Sequence, residues 1–200
     1  MALVVEHEKR KHEILAKAID VFIEDGYADV TFQKIASRCG ITRTTLYIYF
    51  KNKREIFLWS IKELLFGIEQ SLNEEILNLK ISASEKLRKM FSKILQVCQE
   101  NKKLFSVLLS YLMELQKSNV SPKDRVRRRV VRLRHTISTL IIQCIKDGEF
   151  KKNLDVKATN DLLYGLIETS IFHLAVLGED DVSNIMPSIE LAIDGLRLPQ

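Results

Sequence analysis

The stretch from Thr31 to Lys53 restricts the fold more than any other part of this 200-residue chain. It contains two short helical patterns on either side of Gly40, and it has no Asp or Glu. A glycine directly after the last periodic residue is typical of a helix C-terminus. The first pattern places four apolar side chains on one face: Phe32, Ile35, Ala36 and Cys39. The stretch therefore predicts two packed helices joined by a tight turn.

The side chains around this turn predict a helix-turn-helix. Thr31 and Thr42 are expected N-caps, because a threonine hydroxyl accepts a free backbone N–H of the first helical turn. Leu46 and Phe50 are expected to hold the second helix on the first. The outward residues are then polar and aromatic, which favours contact with DNA: Thr44, Thr45, Tyr47 and Ile48. The alternative is an ordinary helical hairpin with a solvated basic face.

The same residues resemble the N-terminal domain of the TetR family of bacterial transcriptional regulators, from about Lys9 to Phe66. The first helix reads A-x-x-V-F-I-E-D-G-Y and ends at Gly26 and Tyr27. The turn reads I-A-S-R-C-G-I-T, and it is followed by T-L-Y-I-Y-F-K-N-K-R-E-I-F. The last string is the most specific part of the resemblance. Beyond it, the chain is similar to the family only in its helical layout.

The resemblance implies an all-α fold of about nine helices in two domains. A three-helix DNA-binding head is expected over residues 1–55, with the helix-turn-helix at about 31–50. A ligand-binding and dimerisation body is expected over 56–200, joined to the head by a long helix at about 53–78. Seven Gly and three Pro agree with long helices and few turns.

The DNA contacts of this chain are carried over from the family position by position. Arg43, Thr44 and Thr45 are the expected base readers, because arginine bonds guanine bidentately and threonine offers a hydroxyl and a methyl. Thr44 departs from the family pattern, in which glycine is common. Five further residues are expected to contact mainly the DNA backbone: Thr31, Gln33, Tyr47, Tyr49 and Lys53.

The body contains helices that are apolar on most sides, which indicates burial or a ligand pocket. In the family, a ligand bound among the body helices releases the DNA. The candidate pocket residues combine apolar side chains with a few polar groups: Phe91, Cys98, Phe105, Tyr111, Met113, Glu114 and His135. Core packing is the competing interpretation for each of them.

A second basic cluster is denser than the one in the head: Arg125, Arg127, Arg128, Arg129, Arg132 and Arg134. These residues surround a regular apolar seam, and no aromatic residue or turn lies between them. The pattern favours a solvated face or pairing with acids of a neighbouring helix. Binding of an acidic ligand, such as a CoA ester or a nucleotide, is the alternative. Ser121 is the expected N-cap of this helix.

The helix after Asp155 has two apolar faces, and two faces need two partners. One face carries Val156, Thr159, Leu163, Ile167, Ser170 and Leu174. The other face, together with Ile189 and Ile193 of the last helix, is the expected homodimer interface by resemblance: Leu162, Gly165, Thr169, Phe172 and Val176. The alternative is a central core helix that touches its own chain on both sides.

Net charge, cysteine spacing and sequence motifs bear on other classes of protein. A net charge of +5 is too small to indicate a nucleic-acid partner by itself. Cys39, Cys98 and Cys144 are widely spaced, which favours buried thiols in a reduced, cytoplasmic protein over disulfides; a redox switch at Cys39 is the alternative. We find no signal peptide, membrane span, metal or cofactor motif, or catalytic constellation.

These observations predict a dimeric regulator, most simply a repressor, that a small apolar ligand releases from a palindromic operator on double-stranded DNA. Two alternatives stay open. A protein of the same fold could use its body to bind another protein. A helical adaptor or enzyme could carry an incidental basic hairpin.

Overall fold

The structure is a computed structural model that describes residues 2–72, 74, 76, 80–117 and 122–198, without the side chains of 2–4 and 122–129. Over these residues the chain forms nine α-helices, and the only extended pairing described is an isolated bridge between Phe150 and Arg197. The all-α prediction is confirmed. The helices are α1 Ala2–Asp29, α2 Phe32–Cys39, α3 Arg43–Tyr49, α4 Lys53–Leu72, α5 Ala83–Glu100, α6 Lys102–Lys117, α7 Pro122–Lys146, α8 Val156–Ala175 and α9 Ile185–Gly195.

The chain divides into two compact units. The first comprises Met1–Gly67 and Val107–Tyr111, and the second comprises Ile68–Ser106 and Leu112–Gln200. The division falls inside α4, whereas the sequence placed it near residue 55. None of the described helices is long and apolar enough to cross a membrane.

The first unit forms because α1, α2 and α4 each bury one apolar stripe. Side chains that are at most 3% exposed form its core: Ile14, Leu15, Ala18, Val21, Phe22, Ile35, Ala36, Leu46, Phe50, Ile56 and Phe57. Ser60 is also buried, and its hydroxyl donates to the Leu15 carbonyl at 3.0 Å, which links α4 to α1. Because this buried hydroxyl has a hydrogen-bond partner, it avoids the desolvation penalty that an unpaired polar group would carry.

The turn chemistry predicted for the helix-turn-helix is confirmed at each position. Thr31 accepts from the Lys34 N–H at 3.2 Å, and Thr42 accepts from the Thr45 N–H at 3.1 Å. Gly40 has φ 68° and ψ 32°, the left-handed conformation that favours glycine at a helix end. These local bonds fix the directions of α2 and α3.

The second unit has its own core, built from α5, α7, α8 and α9. Its fully buried side chains include Leu87, Phe91, Ile137, Ile141, Leu163 and Ile189. The α5 N-terminus carries a capping box, in which Ser82 and Glu85 exchange side chain to backbone bonds. Ser121, the predicted cap of α7, lies outside the described residues.

Glu149 provides a second cap for α5 from the turn that follows α7. Its carboxylate accepts from the backbone N–H of Ala83 at 2.9 Å and of Ser84 at 3.2 Å, and from the Ser84 hydroxyl. Burial raises the pKa of Glu149, but the bonds from Ser84 and Ala83 outweigh it, so the pKa lies below its usual value. The stabilisation is therefore present above the pKa of the unfolded state and is lost as the pH falls through the folded pKa.

Candidate DNA interface

Helix α3 packs on the first unit by one side and presents the other side to solvent. Leu46 is 0% exposed and Phe50 is 2% exposed, whereas Tyr47 and Ile48 are 50% and 69% exposed. Thr44 is also exposed. A short helix with a buried anchor and a polar, aromatic outer side has the form of a recognition helix.

Two exposed residues of α3 hold one another in position. The Arg43 guanidinium donates to the Tyr47 hydroxyl at 3.2 Å and lies 5.7 Å from the centre of its ring. The Tyr47 ring also packs on the Phe32 ring of α2, with 4.6 Å between centroids. These contacts limit the rotamers of Arg43 and Tyr47.

Tyr49 contacts the N-terminal part of α1. Its ring stacks on that of His7, with centroids 4.6 Å apart and planes 23° apart. His7 was not among the predicted site residues, and no sequence signal links positions 7 and 49. The stack places an aromatic pair beside the C-terminal end of α3.

The basic residues of the stretch are less available for contact with DNA than the sequence indicates. Lys34 pairs with Asp25 at 2.8 Å, and Arg38 forms a two-bond ion pair with Glu24. The bonds from Arg38 lower the pKa of Glu24. The stretch itself has no acid, but α1 supplies two.

Lys53 and Arg54 are also engaged or buried. The Lys53 ammonium donates to three main-chain carbonyls at 2.8–3.0 Å. The Arg54 Nη2 atom is buried and has no hydrogen-bond partner among the described residues. Arg43 and Lys51 are thus the basic side chains of the stretch that are exposed and not committed to an acid or a carbonyl of the described chain.

The remaining predicted contacts lie at the start of α2 and in α3. Thr31 and Gln33 are exposed at the start of α2, and the Gln33 amide donates to the Ser37 hydroxyl at 3.3 Å. Thr45 is partly buried, and its hydroxyl lies 2.8 Å from that of Thr42. Thr31 and Thr45 therefore take part in capping, and a role in DNA contact would be additional.

Comparison with known proteins agrees with this geometry. Residues 14–58 match the family described as bacterial regulatory proteins, tetR family, and residues 80–171 match the tetracyclin repressor-like C-terminal domain. The chain belongs to the TetR family. It is a DNA-binding transcriptional regulator and not an enzyme.

Among the relatives of this TetR-family protein are regulators of fatty acid metabolism. The fatty acid metabolism regulator protein of Bacillus subtilis (strain 168) is 28% identical over 159 residues, 80% of each chain. The crystal structure of the transcriptional regulator FadR from Bacillus subtilis in complex with stearoyl-CoA superposes with TM-score 0.75 and 26% identity, and covers 93% of this chain and 99% of that one. A TetR regulator from Haloarcula marismortui shares the fold, with TM-score 0.85, 20% identity, and coverage of 96% and 100%.

The candidate pocket residues of the TetR-family body are not brought together. Phe91 and Cys98 are buried in the core of the second unit, and Phe105 packs against that core. Tyr111 belongs to the first unit, where its ring lies 4.6 Å from Tyr27 and 5.0 Å from Phe57. Three candidates face solvent: Met113, Glu114 and His135. The sequence pattern did not separate core positions from surface positions on α6.

The structure shows a groove that the sequence analysis missed. It has a volume of about 430 Å³, is open to solvent, and lies between α5 and the start of α9. Seven residues line it, and the surface that they expose to the groove is mostly apolar: Ser92, Leu95, Gln96, Gln99, Glu100, Ser183 and Met186. Four of these residues lie on the outer side of α5, which carries no distinctive motif.

The arginines of α7 that the structure describes are paired with acids. Arg132 bonds Glu69 at 2.9 Å, and Arg134 pairs with Asp161 and lies 4.2 Å from the centre of the Tyr164 ring. These pairs match the sequence interpretation of a neutralised face. Arg125, Arg127, Arg128 and Arg129 have side chains outside the described residues.

Helix α8 shows the two faces that the sequence predicts. Thr159, Leu163, Ile167, Ser170 and Leu174 are at most 7% exposed and face the core of the second unit. On the opposite face Leu162, Phe172 and Val176 are 50–55% exposed, with Thr169 exposed and Gly165 partly exposed between them. The alternative of a helix surrounded by its own chain is therefore wrong.

The assignment of Ile189 and Ile193 to a dimer interface needs correction. Both side chains are 0% exposed within the single chain, because they complete the core of the second unit. They retain no surface for a partner. The exposed apolar residue on α9 is Leu191, at 76%.

The three cysteines are free and buried. Burial raises the pKa of Cys39, and it raises the pKa of Cys98 and Cys144 to about 12. The thiolate is the reactive form of cysteine. The protonated thiol of Cys39 therefore argues against a redox switch beside the turn.

Proposed function

We propose that this chain is a dimeric repressor that a long-chain acyl-CoA releases from a palindromic operator. The observation that carries the ligand class is the similarity, along nearly the whole chain, to a regulator whose structure contains stearoyl-CoA. The fatty acid metabolism regulator protein of Bacillus subtilis is matched over 80% of its length.

The exposed side of α3 supports the DNA part of the proposal. Arg43 is exposed and would read a guanine, and the exposed Thr44 and Ile48 would contact base edges or a thymine methyl. Thr45 would read a base by its methyl, because its hydroxyl faces Thr42. Contacts to the DNA backbone would fall to Thr31 and Gln33 at the start of α2 and to Tyr47 and Tyr49 in α3.

The outer face of α8 supports the dimer. Exposed apolar patches on a folded unit commonly mark interaction sites, and Leu162, Phe172 and Val176 form such a patch along one helix. A two-fold dimer presents two copies of α3 to DNA. Its operator is then a palindrome with half-sites roughly 34 Å apart or a small multiple of that distance.

The effector would act by binding the DNA-free state more tightly than the DNA-bound state, because a ligand shifts an equilibrium only through such a difference. An acyl chain needs apolar side chains, which the second unit supplies in its core. The CoA phosphates need cations, and the sequence of α7 concentrates them between Arg125 and Arg134. Of that cluster, Arg132 and Arg134 already have acidic partners.

The proposal is tested with operator DNA selected from random sequence. We expect stearoyl-CoA to release the bound operator at micromolar concentration, while CoA alone and free stearate leave it bound. Fluorescence anisotropy of labelled operator measures the release. Thermal melting without DNA measures ligand binding separately, because a ligand of the folded state raises the melting temperature. If stearoyl-CoA changes neither quantity, the body binds another effector or a protein.

Replacement of Arg43 by alanine tests the reading of bases. We expect the base preference at one operator position in each half-site to relax, and the binding free energy for the operator to weaken by about 1–3 kcal/mol. Lys51→Ala is the control, because it removes an exposed charge beside α3 without removing a base reader. Lys51→Ala should lower the binding affinity by a similar factor on all DNA sequences. An unchanged base preference in the Arg43→Ala selection would contradict the assignment.

A further inference from the structure

The Lys53 ammonium lies among three main-chain carbonyls. Its Nζ atom is 2.9 Å from the Tyr27 oxygen, 2.8 Å from the Ala28 oxygen and 3.0 Å from the Val30 oxygen. An ammonium has three N–H donors, so the three acceptors use all of them. We refer to this arrangement as the Lys53 cap.

Two of the acceptors, the Tyr27 and Ala28 carbonyls, belong to the last turn of α1, and the third, the Val30 carbonyl, directly follows it. Gly26 has φ 77° and ψ 161°, which interrupts the helix before Tyr27. The last carbonyls of a helix lack intrahelical donors, and a lysine near a helix C-terminus can bond them. The Lys53 side chain is partly buried there, 4.9 Å from the centre of the Tyr27 ring.

The Lys53 cap joins the two ends of the helix-turn-helix. Val30 directly precedes Thr31, the N-cap of α2, and Lys53 is the first residue of α4, shortly after Phe50 ends α3. The bonds between them close the intervening chain, which contains α2 and α3, into a loop. The Tyr27 ring beneath the cap packs against Phe57 at 5.1 Å, so the closing point is attached to the core of the first unit.

We propose that Lys53 is a positioning residue that fixes the orientation of α3 for the major groove, and that it does not bind a phosphate. Charge-assisted hydrogen bonds are about twice as strong as neutral ones. Transfer of the ammonium to a phosphate would break at least one of them and leave a carbonyl of the α1 terminus without its donor. The cap therefore acts on DNA through the placement of α2 and α3.

Lys51 provides a matched comparison. It lies two positions before Lys53, carries the same charge and is exposed. A substitution there removes an equal charge near α3 and leaves the cap intact. Substitutions at Lys51 and at Lys53 therefore separate the effect of a lost charge from the effect of a lost Lys53 cap.

The experiment compares Lys53→Met with Lys51→Met on operator and on non-specific duplex over a range of salt concentrations. For Lys53→Met we expect about a tenfold or larger fall in the ratio of operator to non-specific affinity, with the salt dependence of the wild type. For Lys51→Met we expect that ratio to stay unchanged. Equal losses on both DNAs, with a salt slope reduced by about 0.9, would show that Lys53 binds a phosphate and would overturn the proposal. Wild-type binding of both DNAs by folded Lys53→Met would overturn it as well.

Lys53→Arg decides the question without removing charge, which matters if Lys53→Met does not fold. A planar guanidinium binds phosphate at least as well as an ammonium, but it cannot point three donors from one atom at three carbonyls. We expect Lys53→Arg to lower the affinity ratio while circular dichroism shows the wild-type helix content. Wild-type operator affinity in Lys53→Arg would overturn the proposal. Arg43→Ala serves as the independent test of DNA reading, so failure of one idea is distinguishable from failure of the other.

Discussion

Replacement of Phe172 by glutamate is expected to give a folded monomer that binds operator DNA at least about a hundredfold more weakly than the wild type. Phe172 is 50% exposed on the outer face of α8, so the substitution removes little from the chain's own core. In a two-fold dimer each interface residue occurs twice, and two buried carboxylates without partners cost several kcal/mol each. Loss of the dimer removes the avidity of two heads on one palindrome, a factor of about 10²–10⁴.

Val131→Glu is the control for this experiment. Val131 is 54% exposed on α7, outside the apolar face of α8. The substitution introduces the same charge on a similarly exposed apolar residue. We expect Val131→Glu to remain dimeric in analytical ultracentrifugation and to keep its operator affinity, while Phe172→Glu sediments as a monomer with the wild-type circular dichroism spectrum. A dimeric Phe172→Glu variant would move the interface away from α8.

The helix-turn-helix could be predicted from sequence because its determinants are local. Thr31, Gly40 and Thr42 act on backbone groups within a few residues, and Leu46 and Phe50 follow helical periodicity. Each of these residues indicates a helix start, a helix end or a buried helix face from a few neighbouring residues alone. The structure agrees with them at every position.

The partners of the basic side chains at the DNA interface could not be predicted in the same way. The partners of Lys34 and Arg38 lie in α1, and those of Lys53 are main-chain carbonyls more than twenty residues away. A sequence window that contains no acid does not show which acids the fold brings to it. Family resemblance supplied a phosphate role for Lys53 that the local geometry does not require.

The residues that cover each face of α6, α8 and α9 could not be predicted, for a related reason. Helical periodicity identifies an apolar face but not what covers it. The outer face of α8 is exposed, whereas Ile189 and Ile193 on α9 are enclosed by the same chain. On α6, Met113 is 61% exposed and Tyr111 is 1% exposed, although the sequence treats them as equivalent pocket candidates.

Replacement of Leu46 by alanine is expected to destabilise the first unit by about 2–5 kcal/mol, the usual range for truncation of a fully buried leucine. Leu46 is 0% exposed and is the only fully buried side chain described within α3. Helices this short are not stable alone in water, so α3 depends on this contact for its position. We expect a lower thermal midpoint together with loss of specific operator binding at temperatures where the second unit remains folded.

Ile48→Ala separates the role of the anchor from the role of the exposed side. Ile48 lies on the same seven-residue helix and is 69% exposed, so its truncation should change stability by no more than about 0.5 kcal/mol. Any fall in operator affinity then comes from the lost contact with DNA and not from unfolding. Thermal melting and operator titration of the two variants distinguish these effects, because Leu46→Ala should change both quantities and Ile48→Ala only the second. Equal destabilisation by the two substitutions would mean that α3 is oriented differently in solution, with Ile48 against the head and the base-reading side turned away from DNA.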